Sequence, residues 1–387
     1  MERRQPKDVR INDRTLLDIL INNPRPLTLI GLDLSNIDFS NMDLHDIDFS
    51  SSTMSHCDFT RANLRRAKFE RSNLSNSIFE HTECDSAVFD YANMAEISSH
   101  NSIFGSASFL STNMTGSTLS DDNFQEVNMR SANLSGIGCR QVDFGGARLT
   151  QAIMSKGHFT GSRFVEAELI LTDMTRSTFE ACDFHSADMQ LCVCISVQFH
   201  TVDFRYAILN DARFFDSSIQ YCNMSFSKVV HADFYRATIG NTIMTGANLR
   251  DASFQKAIIM DTNMDDANEL YVPTVCPKEG SFIGWKKAIT RDGEYVILKL
   301  EIPEDALRSS GTGRKCRTNK VKVLEIQKLE SEIKTRYKVA YSMFDNRFKY
   351  EVGKTVEVPE FCKARFLECA PGLHFFMERE EAVKFAF

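Results

Sequence analysis

Ala62-Asn63-Leu64-Arg65-Arg66-Ala67-Lys68-Phe69-Glu70-Arg71-Ser72-Asn73-Leu74-Ser75-Asn76-Ser77-Ile78-Phe79 renews its pattern every five residues. A large apolar residue stands at Leu64, Phe69, Leu74 and Phe79, and a small one stands two places before each, at Ala62, Ala67, Ser72 and Ser77. A buried helix face needs a period of 3.6 and an alternating strand a period of 2, so neither generates this spacing. A period of five turns the chain through a corner after each unit, and four units bring it back above its start. Followed outward in both directions, the register runs without insertion from Leu34 to Met264, as 47 consecutive units. Such self-similarity marks a stacked architecture in which each unit buries its apolar face against the next.

Few positions depart from the rule. Ser99 is the only polar residue among the large positions, while Cys84, Cys139 and Cys194 fill them as small hydrophobes. Asp122 occupies a small inward slot. Either the corner there is distorted, or its carboxylate accepts backbone N–H groups. The residue between the two inward positions is often Asp or Asn, as at Asp58, Asn63, Asn73 and Asn93. Residues twenty apart share a side, so Phe104, Phe124, Phe144, Phe164, Phe184 and Phe204 should form one aromatic ladder. Phe39, Phe59 and Phe79 begin another, which resumes at Phe159, Phe179 and Phe199. With coils spaced like paired strands at ~4.8 Å, about twelve of them predict a rod on the order of 55 Å long.

This stretch resembles the pentapeptide-repeat family, whose consensus Ala-(Asp/Asn)-Leu-x-x is met to the letter by Ala62-Asn63-Leu64, Ala132-Asn133-Leu134 and Ala247-Asn248-Leu249. The resemblance implies a mainly β fold, a right-handed quadrilateral β-helix. It also implies one possible role, since some members mimic duplex DNA and occupy the DNA groove of type II topoisomerases.

Three segments are expected: an N-terminal helical cap over 1–28, the β-helix over 29–270, and a small α+β domain over 271–387. Asn12 or Asp13 can cap a helix that Pro24 stops, with apolar residues from Leu16 to Ile21 at helical spacing. Bulky Leu32, Ile37, Met42 and Ile47 in the first coil's small slots suit contact with such a lid. Past Pro273 and Pro277 the texture changes to strand-like runs at Tyr295–Leu300, Val321–Ile326 and Lys338–Tyr341, with a turn at Asp292-Gly293 and a short helix near Glu378–Lys384. This tail resembles the uncharacterised domain that follows pentapeptide repeats in some bacterial, phage and giant-virus proteins. Arg314-Lys315-Cys316-Arg317, Tyr350-Glu351-Val352-Gly353-Lys354-Thr355-Val356 and Cys369-Ala370-Pro371-Gly372-Leu373-His374-Phe375-Phe376 carry that likeness. It implies architecture and no settled activity, with a phage or host-interaction setting.

Residues 31–270 hold 31 acidic against 17 basic side chains, a net charge of −14, whereas residues 271–387 carry 17 against 22, or +5. The acidic stretch argues against direct nucleic-acid binding by the rod. No run of eighteen apolar residues predicts a membrane span, and the polar start lacks the apolar core of a secretory signal, so cytoplasmic residence is the default. Eleven cysteines without recurring Cys-x2-Cys pairs read as core fillers, not as a disulfide or zinc framework.

Candidate binding residues are few. In the tail, Arg314, Lys315 and Arg317, with Lys320 and Lys322, follow the glycine-rich Ser309–Gly313 and suit phosphate or an acidic protein face. His374, five residues after Cys369, is a candidate for a catalytic Cys–His pair, and a metal site built with Cys316 and Cys362 is the other reading, although the spacing does not suit a metal. In the repeats, Phe215, Tyr221, Phe226 and Tyr235 are outward aromatics in adjacent coils. The reading is of a non-enzymatic interaction scaffold with a docking domain, binding a protein partner and needing neither cofactor nor metal. The alternatives are a DNA mimic whose partner is a DNA-binding enzyme, and an enzyme housed in 271–387. A homodimer is compatible with each.

Overall fold

The computed structural model describes residues 9–10, 19, 23–267, 275–310, 314–344, 348–362, 365 and 370–385. The chain is mainly β, a right-handed quadrilateral solenoid of about 12 turns followed by a small antiparallel domain. Two compact units divide it: Met1–Thr238 with Ile243–Gln255 and Asp266–Leu270, and Tyr271–Phe387 with Ile239–Thr242 and Lys256–Asp265.

In the solenoid every residue lies over the one twenty positions earlier. One side carries three-residue strands in parallel register, Phe79 on Ser99, Ser99 on Leu119, Leu119 on Cys139, Cys139 on Phe159. The other sides pair through single bridges at the same spacing, such as Asn63 with Glu83 and Lys68 with Val88. The corners need a left-handed residue at every fifth position, and φ is near +57° at Asn36, Asn41, Asp46 and their successors. Most units on three of the four sides close the corner with a turn bond, such as Ala62 N–H to Phe59 O at 2.9 Å. The middle Asp or Asn reinforces the turn: Asp58 accepts from Thr60 N–H at 2.9 Å, and Asn93 reaches down to Asn73 at 3.0 Å.

The aromatic ladders form as the twenty-residue spacing demands. Phe104 and Phe124 stack at 4.5 Å, Phe144 and Phe164 at 4.9 Å, Phe164 and Phe184 at 4.6 Å. Phe39, Phe59 and Phe79 stack at 5.3 and 5.0 Å, and Phe159, Phe179 and Phe199 resume that side at 4.7 and 5.3 Å. All are buried. A third ladder, Phe49, Phe69, Phe89 and Phe109, occupies another side.

The small slots do more than save volume. Thr82 Oγ1 donates to Phe59 O at 2.9 Å, and Ser102 Oγ accepts from Thr82 N–H at 2.9 Å while donating to Phe79 O at 2.8 Å. A hydroxyl there joins two coils at a corner whose N–H has no turn bond. Asp122 continues this row, taking Ser102 N–H at 2.7 Å and Ser120 N–H at 3.1 Å. The second of the two readings of Asp122 therefore holds: the carboxylate serves backbone donors.

The predicted helix over residues 13–22 lies outside the described residues, Ile19 apart. Ahead of it, Val9–Arg10 forms a short strand paired in parallel with Leu32–Asp33 of the first coil.

The C-terminal domain is built on an antiparallel sheet in the spatial order Arg308–Ser310, Lys315–Thr318, Leu373–Phe376, Phe282–Ile289, Tyr295–Ile302, Lys320–Lys328, Thr355–Glu357. Val339–Tyr341 and Lys349–Glu351 pair at its side. The expected hairpin at Asp292-Gly293 joins Phe282–Ile289 to Tyr295–Ile302, and Gly293 takes the left-handed φ of 87° that the turn requires. The expected helix is Arg379–Lys384, begun by a capping box between Glu378 and Glu381. The core gathers Leu298, Leu300, Val321, Val323 and Phe375.

Candidate functional site

Of the four outward aromatics, the twenty-residue coil brings some together and separates others. Phe215 stacks on Tyr235 at 5.3 Å, both half-buried at one corner. Phe226 stacks at another corner on Tyr206 at 5.5 Å, a partner the sequence reading did not single out. Tyr221 stands at the corner between, edge-on to His200. Tyr206, Tyr221 and Phe226 are more than half exposed, at 52%, 58% and 53%, and each sits at a left-handed φ between 56° and 60°. Aromatic residues rarely take that conformation, which favours Gly, Asn and Asp.

The basic residues of the C-terminal domain do not act as one cluster. Arg314 is exposed and paired with Glu381. Arg317 is buried, donates to Cys362 O at 2.9 Å and lies over the Phe361 ring. Lys320 pairs with Asp305 at 2.6 Å and Lys322 with Glu301 at 3.7 Å. Lys315 forms no carboxylate pair among the described residues, and lies over the Phe385 ring at 5.5 Å.

Lys315 and His374 instead line one cavity of about 590 Å³, together with Lys286, Phe348 and Tyr350. Lys286 donates to His374 O at 3.2 Å and sits 5.8 Å from the centre of the Tyr350 ring. Burial of its ammonium, aided by repulsion from Lys315, pulls its pKa down to about 8. Burial also pushes the Tyr350 phenol up. The exposed Glu357 and Glu360 stand at the rim. Sequence reasoning found Lys315 and His374 and missed Lys286, whose only signal was a lysine pair, Lys286-Lys287, inside a strand-like run.

The cysteines that the sequence reading considered with His374 do not form a site with it among the described residues. Cys369 lies outside the described residues. Cys316 is buried against Cys276, whose thiol it holds below the ordinary cysteine range while its own is pushed up. Ser310 Oγ accepts from Cys276 N–H at 3.4 Å, and Arg308 and Arg365 line the same 290 Å³ hollow. Among the described residues no cluster of His, Cys, Asp and Glu suits a metal. No described helix is long and apolar enough to cross a membrane.

Comparison with known families agrees with the coil geometry. Pentapeptide-repeat models match residues 43–80, 67–98, 123–164, 143–180 and 231–268. The solenoid is built of pentapeptide repeats. Behind the repeats, a family of unknown function (DUF5758) matches residues 272–382. No curated protein is similar in sequence. Among solved structures, the chain is similar to HetL, a pentapeptide-repeat protein involved in heterocyst differentiation regulation in Nostoc sp. strain PCC 7120, at 16% identity over 65% of this chain and 94% of that one, with a TM-score of 0.27. It is similar to full-length QnrB1, a plasmid-mediated fluoroquinolone resistance protein, at 13% identity over 60% and 90%, with a TM-score of 0.23. ORF18 of Geobacillus virus E2 is similar at 9% identity over 81% and 78%, with a TM-score of 0.33. Likeness at these levels says nothing of what the repeats bind here.

Proposed function

We propose that the protein is a non-enzymatic binding scaffold whose pentapeptide repeats present corner side chains to a protein partner. The observation that carries this reading is a set of exposed aromatics, Tyr206, Tyr221 and Phe226, at two neighbouring left-handed corners. Folding gains little from Tyr206, Tyr221 or Phe226, since each is more than half exposed, and each holds a backbone conformation that costs an aromatic residue ~1 kcal/mol or more. A residue kept against folding preference on a rigid surface is suited to contact. Tyr and Phe also supply large contact area with few rotatable bonds.

The test is a triple variant, Tyr206→Asn, Tyr221→Asn and Phe226→Asn, in the full chain. Asn tolerates the corner, so the variant should melt no lower than the parent. Quantitative mass spectrometry of proteins cross-linked to each should show partners lost from the variant. Equal recovery of every partner by both would sink the reading.

A second reading rests on charge. Net −14 over residues 31–270 suits a mimic of duplex DNA directed at a type II topoisomerase. It requires that the protein inhibit supercoiling in a salt-dependent manner. Inhibition that ignores salt, or none, removes it.

A further inference from the structure

The cavity of the C-terminal domain is lined by two lysines and by two glutamates, Glu357 and Glu360, with no ion pair between the two sets among the described residues. Two ammonium groups, Lys286 and Lys315, line it, and neither forms a carboxylate pair among the described residues. A cation moved out of water without a counter-ion is costly, and a second cation nearby adds to that cost. In the basic stretch Arg314, Lys320 and Lys322 each pair with a carboxylate, whereas Lys286 and Lys315, like Arg317, meet only a carbonyl or a ring. Around the two lysines the wall is apolar. Tyr350, Leu373 and Val358 are buried, Phe348 is partly so, and Phe344 remains 67% exposed at the edge. The volume, about 590 Å³, falls within the range of small-molecule sites.

We propose that this cavity binds a small organic acid, with its carboxylate or phosphate between Lys286 and Lys315 and an aromatic or branched apolar body against Phe344, Phe348 and Tyr350. The anion supplies the carboxylate or phosphate contact that both lysines lack among the described residues, and charge-assisted bonds to ammonium are among the stronger polar contacts. The rim adds a selectivity rule. Glu357 lies 3.9 Å from Lys320, but Glu360 forms no ion pair among the described residues, so a second anionic group at the ligand's outer end is repelled. The site therefore takes one anionic end, entering first. The inference is independent of what the repeats bind.

Fluorine NMR titration of the full chain with para-trifluoromethylbenzoate and its uncharged amide tests it. The acid should bind at least ~10-fold more tightly than the amide, since losing one charge-assisted contact is worth about a factor of ten. Lys286→Met and Lys315→Met should each weaken the acid by about the same factor and leave the amide unchanged. Replacing a buried ammonium by an apolar chain removes a desolvation cost, so Lys286→Met should fold, and a melting temperature no lower than the parent's verifies it. Phenyl phosphate should displace the acid and inorganic phosphate should not, which separates an organic ligand from a free-phosphate site. Terephthalate should bind more weakly than benzoate, and Glu360→Gln should narrow that gap. Equal affinity for acid and amide, insensitivity of the acid to both lysine variants, displacement by inorganic phosphate, or no binding at millimolar concentration would each overturn the proposal.

Discussion

Ser99, polar in a large slot, and Asp122, charged in a small one, account for each other. Ser99 Oγ donates to Asp122 Oδ1 at 3.0 Å, where an apolar residue would leave the inward carboxylate without that donor. Burial still dominates and raises Asp122 to about 6 against its three hydrogen bonds. An unfolded aspartate titrates near 4, so between about pH 4 and 6 the folded chain keeps a proton that the unfolded chain has released. The site's contribution to stability is therefore full below about pH 4 and falls as pH rises through 6, by on the order of 3 kcal/mol. Asp122→Thr, which restores the hydroxyl found at Thr82, should flatten the melting curve's pH dependence and raise the melting temperature above pH 7. Ser99→Leu alone should destabilise the chain, whereas Ser99→Leu with Asp122→Thr should be more stable than the parent at pH 7.5. A double variant that melted below both singles would refute this pairing. The sequence showed both anomalies but not their partnership, because it depends on which corner lacks its turn bond.

At the scale of elements, the ladders were legible because the twenty-residue spacing alone decides which rings meet. Phe164, stacked between Phe144 and Phe184 and fully buried, is a fair test: Phe164→Ala should cost ~3–5 kcal/mol in chemical denaturation, because a stacked wall cannot collapse into the gap. Length is quantised in the same way. Removing residues 144–163, one whole coil, keeps every later residue on its own side and should lower the melting temperature little. Removing residues 144–153 shifts all later sides by half a coil and sets Met154 where Phe144 met Phe124. That variant should melt well below the first, and equal melting would show that the ladders contribute nothing specific. In the C-terminal domain the hairpin at Asp292-Gly293 was equally readable, since its turn and strands are local.

Across the whole chain, what could be read followed how near in sequence the cooperating residues lie. The repeat announces itself because each unit contacts copies at fixed separations. The cavity does not, since Lys286, Lys315, Tyr350 and His374 come from four different strands and no spacing ties them together. Reading the basic stretch as one cluster failed for a related reason: carboxylates distant in sequence, such as Glu381 and Glu301, claim its members singly. The register of the coils also has a mechanical meaning. Hydrogen bonds between coils run along the stacking direction, and among the described residues no strand of the solenoid crosses from one coil to a distant one. Tension along that direction passes through every coil interface in series, and a terminal coil, held on one face alone, gives first, so the solenoid should yield by peeling at modest force. Each event would free twenty residues, roughly 70 Å of chain, giving an evenly spaced record in optical tweezers in which the pull counts the turns.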